Sequence, residues 1–393
     1  MHYVAFQPSF AATPYDLHVD KGQLALHLAK RPGWRVTVAS TDSYELPGGL
    51  ASVAMGNGRW SSLSCIWRMA PEADVLQLHN FSWRGVVRAV LYKIRNRRGV
   101  CYLRLSGSTV VSLEREMRRL RHPAYRLFLR LGLPCVDLVS AESRGLLDRF
   151  EAFMQRCGLR RRPARLIVCS CGFGSDEVMP RLSAGPPRTD ILFVGRLGAP
   201  EKALEVLLAA FQQLREQYAV HATLKLLGPS RPEFDRHLAE WAEGVAPETA
   251  AAVSCPGATW DREALLEQYL DARVFVISSR TESGPNAFVE AASCGCLLTG
   301  TAVGLIPDVL AAVGTGWVAP VGDANALAAA LAAALSAPDS PEGRRERILR
   351  FGAAYSWPDM IDRLATQLEA LRRGKGPDAR RAPVRAPGVS SGL

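Results

Sequence analysis

Several features are missing from this 393-residue chain, and each absence excludes something. Nothing approaches the roughly 18 uninterrupted apolar residues of a membrane span. The longest candidate, Ala326 to Leu335, is Ala/Leu-rich with helical spacing and reads as a packed helix. No Cys-x-x-Cys pair occurs. The nine cysteines are odd in number, and the only close pairs are Cys169/Cys171 and Cys294/Cys296. Zinc knuckles and dithiol redox motifs are therefore excluded, and a disulfide scaffold is disfavoured against a reduced cytosolic setting. The opening residues Met1–Phe6 lack the basic stretch and apolar core of a signal peptide.

What is present is globular. Apolar residues make up 48% and charged residues 22%, and the length predicts two or three domains at roughly 150 residues each. The net charge of +10 conceals an uneven distribution. Residues 1–83 balance. Residues 84–165 carry 20 Lys/Arg against 6 Asp/Glu, whereas residues 166–371 carry 16 against 25 and the tail 372–393 carries 6 against 1. Such asymmetry implies domains with different partners. Within the basic block, Leu113, Met117, Leu120, Ala124, Leu127, Phe128 and Leu131 recur near the helical period among six arginines, with Pro123 breaking the run into two helices. A core-facing helix with a solvated arginine face and a face that docks on an anionic membrane both fit. No aromatic stacking pattern or recognition module accompanies the charge, so nucleic acid is not an expected partner. The Arg/Pro/Gly-rich tail is expected to be disordered.

Short β-rich runs alternate with helical patterns. Strands are predicted at Tyr3–Gln7, Arg35–Ser40, Asp74–His79, Val100–Leu105, Leu138–Ala141 and Leu166–Cys169. A second set falls at Ile191–Gly195, Thr223–Leu227, Val274–Ser278, Leu297–Thr299 and Trp317–Ala319. Many are continuous apolar runs, the mark of parallel strands covered on both faces. The expected fold class is therefore α/β, with two doubly wound, Rossmann-like domains divided near Pro180–Thr189. In such sheets ligands bind beyond the carboxyl ends of the strands at the topological switch point, so two facing sheets would hold a substrate in the cleft between them.

The segment Ser279–Ala291 follows a buried strand and leads into a helix with Pro285 expected near its first turn. Backbone N–H groups there make an anion site, with Glu282 before it and Glu290 further along the helix. A carboxylate accepts from two vicinal ribose hydroxyls, yet both glutamates could equally be complements of the helix dipole. Arg196 and Lys202 flank a second strand-to-helix turn, where they would neutralise a diphosphate or form an ordinary surface pair.

These motifs occur in an order that resembles the retaining GT-B glycosyltransferases, in particular glycosyltransferase family 4. The resemblance covers about residues 190–335. It rests on Val194-Gly195-Arg196-Leu197 with Lys202, Leu226-Leu227-Gly228-Pro229, Glu282 with Glu290 in Glu-x7-Glu spacing, Gly304–Val309 and Gly322–Leu327. It implies the GT-B architecture, with an acceptor-binding domain over 1–183, a nucleotide-sugar domain over 184–357, a helix over 358–372 returning to the first domain, and the tail 373–393. Arg196 and Lys202 would then stabilise the leaving nucleoside diphosphate, Glu290 would hold the ribose, and Glu282 would contact the donor sugar. Gly195, Gly228, Gly284, Pro285 and Asn286 would line the donor. His79 would approach the reaction centre, and Asp20, Lys21 and Gly22 would form an acceptor-side loop. Ser106 stands where many members have a sugar-contacting His, and Asp308 where they have Glu.

The reaction implied is retaining hexosyl transfer from a UDP-, GDP- or similar sugar to a saccharide or lipid-linked hydroxyl in bacterial polysaccharide or glycoconjugate synthesis. No cofactor is implied, and no metal, since no Asp-x-Asp occurs and cationic side chains with helix N–H groups could replace Mg²⁺. The expected location is cytoplasmic, with the inner face of the plasma membrane as a docking surface. The 42 arginines against 6 lysines fit a GC-rich bacterial source. Rival readings are a GT-B-type epimerase or phosphorylase and a non-catalytic partner subunit. A dehydrogenase is a weaker rival, because Gly56-x-Gly58 and Gly172-x-Gly174 each lack the third glycine of the dinucleotide fingerprint.

Overall fold

The computed structural model describes residues 1–7, 20–43, 45–58, 60–106, 108–159, 165–169, 172, 178–182, 187–282 and 284–374. The expected disorder of the tail, from 375 onward, lies outside them. The chain divides into two compact units, Met1–Gly172 with Trp357–Leu393, and Phe173–Ser356.

In the first unit the order is β1 (His2–Phe6), α1 (Asp20–Ala29), β2 (Arg35–Ser40), β3 (Ala51–Ala54), α2 (Ser61–Met69), β4 (Val75–His79), α3 (Trp83–Arg95), β5 (Val100–Leu105), α4 (Ser108–Arg119), α5 (Pro123–Gly132), β6 (Leu138–Ala141), α6 (Arg144–Arg156) and β7 (Arg165–Val168). The strands lie in the order β3-β2-β1-β4-β5-β6-β7, all parallel. The order reverses between β1 and β4, which makes their carboxyl ends the switch point. β5 is buried along its whole length, the otherwise apolar run including a fully buried Arg104.

The second unit runs β8 (Thr189–Val194), α7 (Leu204–Glu216), β9 (Leu224–Leu227), α8 (Pro232–Glu243), α9 (Pro247–Ala250), β10 (Val253–Gly257), α10 (Arg262–Leu270), β11 (Ala272–Ile277), α11 (Asn286–Ser293), β12 (Leu297–Thr301), α12 (Ile306–Val313), β13 (Trp317–Ala319), α13 (Ala324–Ser336) and α14 (Pro341–Tyr355). Its parallel sheet has the order β10-β9-β8-β11-β12-β13, so the switch point lies between β8 and β11. Ala326–Leu335 falls within α13, which packs on α7 with Leu327, Ala328, Leu331 and Ala334 buried. Among the described residues no helix is long and apolar enough to cross a membrane.

α15 (Trp357–Arg372) belongs to the first unit. Trp357 stacks on His27 of α1 with centroids 5.1 Å apart, and Arg372 donates through Nε to Asp74 at 2.9 Å.

Several expectations are corrected. β3 and β10 were not foreseen. Both are edge strands with partly exposed residues, and neither has the buried apolar run that marks the inner strands. Asp20, Lys21 and Gly22 form the first turn of α1, not a loop. Pro123 does open a new helix, and it rotates the apolar stripe: Leu113 is buried while Leu127 and Leu131 are exposed.

Candidate functional site

In the second unit the strand-to-helix turns at the switch point are tied to one another. After β8 the chain passes Gly195 and Arg196, makes a 3-10 turn over Pro200–Lys202, and enters α7 through Ala203, which takes a left-handed conformation at φ 49°. The segment after β11 binds that turn at three points. Ser278 Oγ donates to the Lys202 carbonyl at 2.8 Å, Arg280 N donates to the Glu201 carbonyl at 2.8 Å, and Arg280 Nη1 donates to the Pro200 carbonyl at 2.8 Å.

This stapling brings Lys202 and Glu282 together, although they lie 80 residues apart. Lys202 Nζ donates to Glu282 Oε1 at 2.6 Å, and Ser279 Oγ donates to the same oxygen at 2.7 Å. The two charged side chains keep only 15% and 13% of their surface exposed. Arg196 differs. Its guanidinium pairs with Glu201 yet stays 63% exposed.

Gly228 closes the turn after β9 against the turn after β8. Its φ of +148° is outside the range of ordinary side chains, and a Cβ there would lie 1.8 Å from the Gly195 carbonyl oxygen. Two backbones can approach so closely only because glycine stands there. The approach is held by Gly195 N donating to the Leu227 carbonyl and Leu197 N to the Pro229 carbonyl, at 3.0 and 2.9 Å.

α11 starts at Asn286, and Pro285, expected near its first turn, is the residue just before it, with extended ψ of 104°. The first helical bonds come from Phe288 and Val289 N–H to the Pro285 carbonyl, so the Asn286 and Ala287 N–H groups lie ahead of the ladder, at the positive end of the helix. Gly284 is the described residue preceding Pro285, while Ser283 lies outside the described residues.

Glu290, one turn into α11, is clamped. Arg262 Nη1 donates to its Oε1 at 2.5 Å, and Tyr269 OH donates to Oε2 at 2.9 Å. Both partners sit on α10. Tyr269 is fully buried, and burial, reinforced by the Glu290 charge, pushes its phenol well above the ordinary value. Sequence reasoning missed Arg262 and Tyr269, because no spacing in the chain reveals that α10 lies alongside α11, and it gave Ser279, within the stretch it singled out, no role of its own.

In the first unit His79 ends β4 and Ser106 follows β5, so the β4–β5 pairing sets them side by side. His79 Nε2 lies 3.2 Å from Ser106 Oγ. Asn80, left-handed at φ 58°, accepts at Oδ1 from Ser106 N, Ser106 Oγ and Thr109 Oγ1 at 3.0, 2.8 and 2.8 Å. Since the Ser106 hydroxyl donates to Asn80, its remaining role toward His79 is as acceptor, which puts a proton on His79 Nε2. Asp20, Lys21 and Gly22 lie on α1, after β1. Among the described residues no three His, Cys, Asp or Glu side chains converge as a metal site would require.

Residues 188–337 match the protein-family model described as Glycosyl transferases group 1. Over 272 residues the chain is 30% identical to the Escherichia coli protein named as colanic acid biosynthesis glycosyltransferase WcaL. The match takes in 67% of this chain and 61% of that one, so the chain spans about three fifths of its relative's length. Among solved structures it is similar to sucrose-phosphate synthase from Thermosynechococcus elongatus, at 19% identity and TM-score 0.69, covering 95% of this chain and 99% of that one. It is also similar to Anabaena HepE in complex with UDP, at 16% identity and TM-score 0.69, covering 94% and 100%. The fold of the two units is therefore GT-B.

Proposed function

We propose that the chain is a retaining glycosyltransferase of the family 4 type. It would move a hexosyl group from a nucleoside diphosphate sugar to a hydroxyl of a saccharide or lipid-linked saccharide, in bacterial polysaccharide or glycoconjugate synthesis. The observation that carries this reading is the gathering of Arg196, Lys202, Glu282 and the α11 N-terminus at the switch point of the second sheet. The family match over 188–337 and the UDP held by HepE support a nucleotide diphosphate as the ligand.

Each group has a part. Arg196 and Lys202, with the positive end of the α11 dipole, would take the charge that grows on the diphosphate as the glycosidic bond breaks. Such preorganised positive charge stabilises the transition state without reorganisation at the moment of reaction. The helix dipole and two cations would do this without a metal ion. Glu290, held in place by Arg262 and Tyr269, would accept from the ribose hydroxyls, and Gly195 and Gly228 would let the backbone approach the nucleotide. Glu282 would accept from a hydroxyl of the donor sugar while remaining Lys202's neighbour. Retention follows if the leaving phosphate itself takes the acceptor proton on the face it departs from, with no carboxylate nucleophile. His79 and Ser106 would hold the sugar or acceptor from the first unit.

A melting-temperature panel with UDP, GDP, ADP, TDP and their sugars tests the reading. The expected result is stabilisation by one diphosphate family, diminished in Arg196→Ala, followed by release of that diphosphate when acceptor is supplied. No shift with any nucleotide would refute it. Donor binding without transfer to any hydroxyl would favour a non-catalytic subunit.

A further inference from the structure

Three helices of the first unit leave an apolar surface within a field of arginines. α3 carries no acidic residue and exposes Arg84 and Arg95, while its Lys93 pairs with Asp137 and its Arg88 lies over the Phe6 ring. α4 and α5, with the short turn joining them, carry six arginines against two glutamates. One of those two, Glu116, is buried and accepts from Arg119 and Tyr125, so Glu114 is the only outward acidic residue of the pair.

Between these helices lies a cavity of about 420 Å³ lined by Trp83, Val87, Arg119, Tyr125 and Phe128. Beside it, Leu127 and Leu131 stand one turn apart on the outer side of α5, 56% and 71% exposed, and Trp83 is 39% exposed. The side of α5 that faces the core is occupied by other residues, Leu129 and Gly132, with Tyr125 and Phe128 half-buried. A helix that merely packed inward and showed water its arginines would not also present two leucines outward, flanked by Arg126 and Arg130. That combination, an apolar ridge and tryptophan framed by cations, matches the boundary between headgroups and acyl chains.

We infer that the α3–α4–α5 face docks the protein on an anionic lipid leaflet, with Leu127, Leu131 and Trp83 entering the acyl boundary and Arg118, Arg126 and neighbouring arginines meeting headgroup phosphates. The occupant is set by charge complementarity: an apolar partner protein would not call for this excess of cations, and a soluble polyanion would not call for the leucines. The inference rests on the lipid-linked acceptor reading for its purpose, since docking would bring the first unit to such an acceptor.

Co-sedimentation of the full chain with vesicles tests it, using phosphatidylcholine alone and phosphatidylcholine mixed with phosphatidylglycerol. The chain is expected to pellet only with the mixed vesicles, and less so as salt rises. Each arginine near an anionic surface contributes about fivefold to partitioning, so Arg118→Glu with Arg126→Glu should weaken binding by more than about tenfold. Leu127→Ser with Leu131→Ser should release the protein at salt concentrations where wild type stays bound. All four sites are exposed, so melting temperatures should be unchanged, and the nucleotide-induced shift should persist in both variants. That shift reads the transferase proposal independently of vesicles. Wild type remaining in the supernatant with mixed vesicles, either variant pelleting like wild type, or retention on heparin without vesicle binding would each overturn the docking inference.

Discussion

Replacing Glu282 by Gln separates two roles that share one side chain. Lys202 Nζ is engaged by Glu282 at 2.6 Å, with both groups largely buried. A diphosphate that uses Lys202 must therefore compete with that carboxylate. A charge-assisted hydrogen bond of this kind contributes about 1.5–3 kcal/mol net. In Glu282→Gln the amide keeps the size and the Ser279 contact but loses the charge, leaving a buried ammonium without its counter-ion. Removing one partner of a buried pair costs about 3 kcal/mol, and the melting temperature of the free protein should fall. Part of that loss returns when a diphosphate supplies the missing charge. If about half of the pair's value is recovered, free nucleoside diphosphate should bind three- to tenfold more tightly than to wild type, since about 1.4 kcal/mol is a factor of ten. Sugar transfer should drop instead, because the acceptor for the donor's hydroxyl is gone. Calorimetric titration with the bare diphosphate, beside a turnover assay with the intact donor, reads both. Weaker binding of the bare diphosphate in Glu282→Gln, with an unchanged melting temperature, would refute the competition and the pair's structural weight together.

Tyr269→Phe removes one of the two donors to Glu290 and should weaken nucleotide binding by roughly three- to tenfold, about 1 kcal/mol at this partly exposed carboxylate; bare diphosphate lacking a ribose, measured by displacement, should be unaffected. Gly228→Ala must move the β8 and β9 turns apart, since its Cβ would fall 1.8 Å from the Gly195 carbonyl, and should destabilise the protein by more than about 3 kcal/mol in urea unfolding. Burial and Lys30 lower the His27 pKa to about 4, so the folded state resists protonation that the unfolded chain accepts from about pH 6.5 downward. Stability should therefore fall between about pH 6.5 and pH 4 by on the order of 1–2 kcal/mol after allowing for solvent screening, and His27→Gln, measured by denaturant unfolding at each pH, should flatten that part of the profile.

Eleven strands were legible, the nine inner ones because a strand covered on both faces is largely apolar and the edge strands β7 and β13 from shorter apolar runs, with bounds within about two residues of those observed. The edge strands β3 and β10 were not, because Ala51–Ala54 and Val253–Gly257 include small, polar and exposed residues that a periodic reading assigns to loops. Helix starts were legible at prolines: Pro123 marked the opening of α5 by its fixed φ and missing N–H, and Pro285 stands one residue ahead of α11.

Within the site, legibility depended on whether partners share a motif or only a neighbourhood. Lys202 and Glu282 each sit in a recognisable strand-to-helix turn, and the doubly wound order makes those turns adjacent, since β8 and β11 pair directly across the switch point. Topology alone brings them together. Arg262 and Tyr269 have no such signal. They come from a helix whose contact with α11 is decided by packing, and the consequence is that both carboxylate oxygens of Glu290 are held by donors from α10. The same holds in the first unit, where Ser106 occupies the position at which the family resemblance expects a histidine. Its hydroxyl is not an empty substitute: it receives His79 Nε2 and gives its proton to Asn80, which also accepts from Thr109. A missing imidazole at one strand end is thus accompanied by an oriented imidazole at the next. If that network is what positions a sugar hydroxyl, Ser106→Ala should reduce transfer while leaving nucleotide binding in the second unit intact, and Ser106→Thr, which keeps the hydroxyl, should restore part of the rate; equal loss in both variants would show that the hydroxyl does not act through His79.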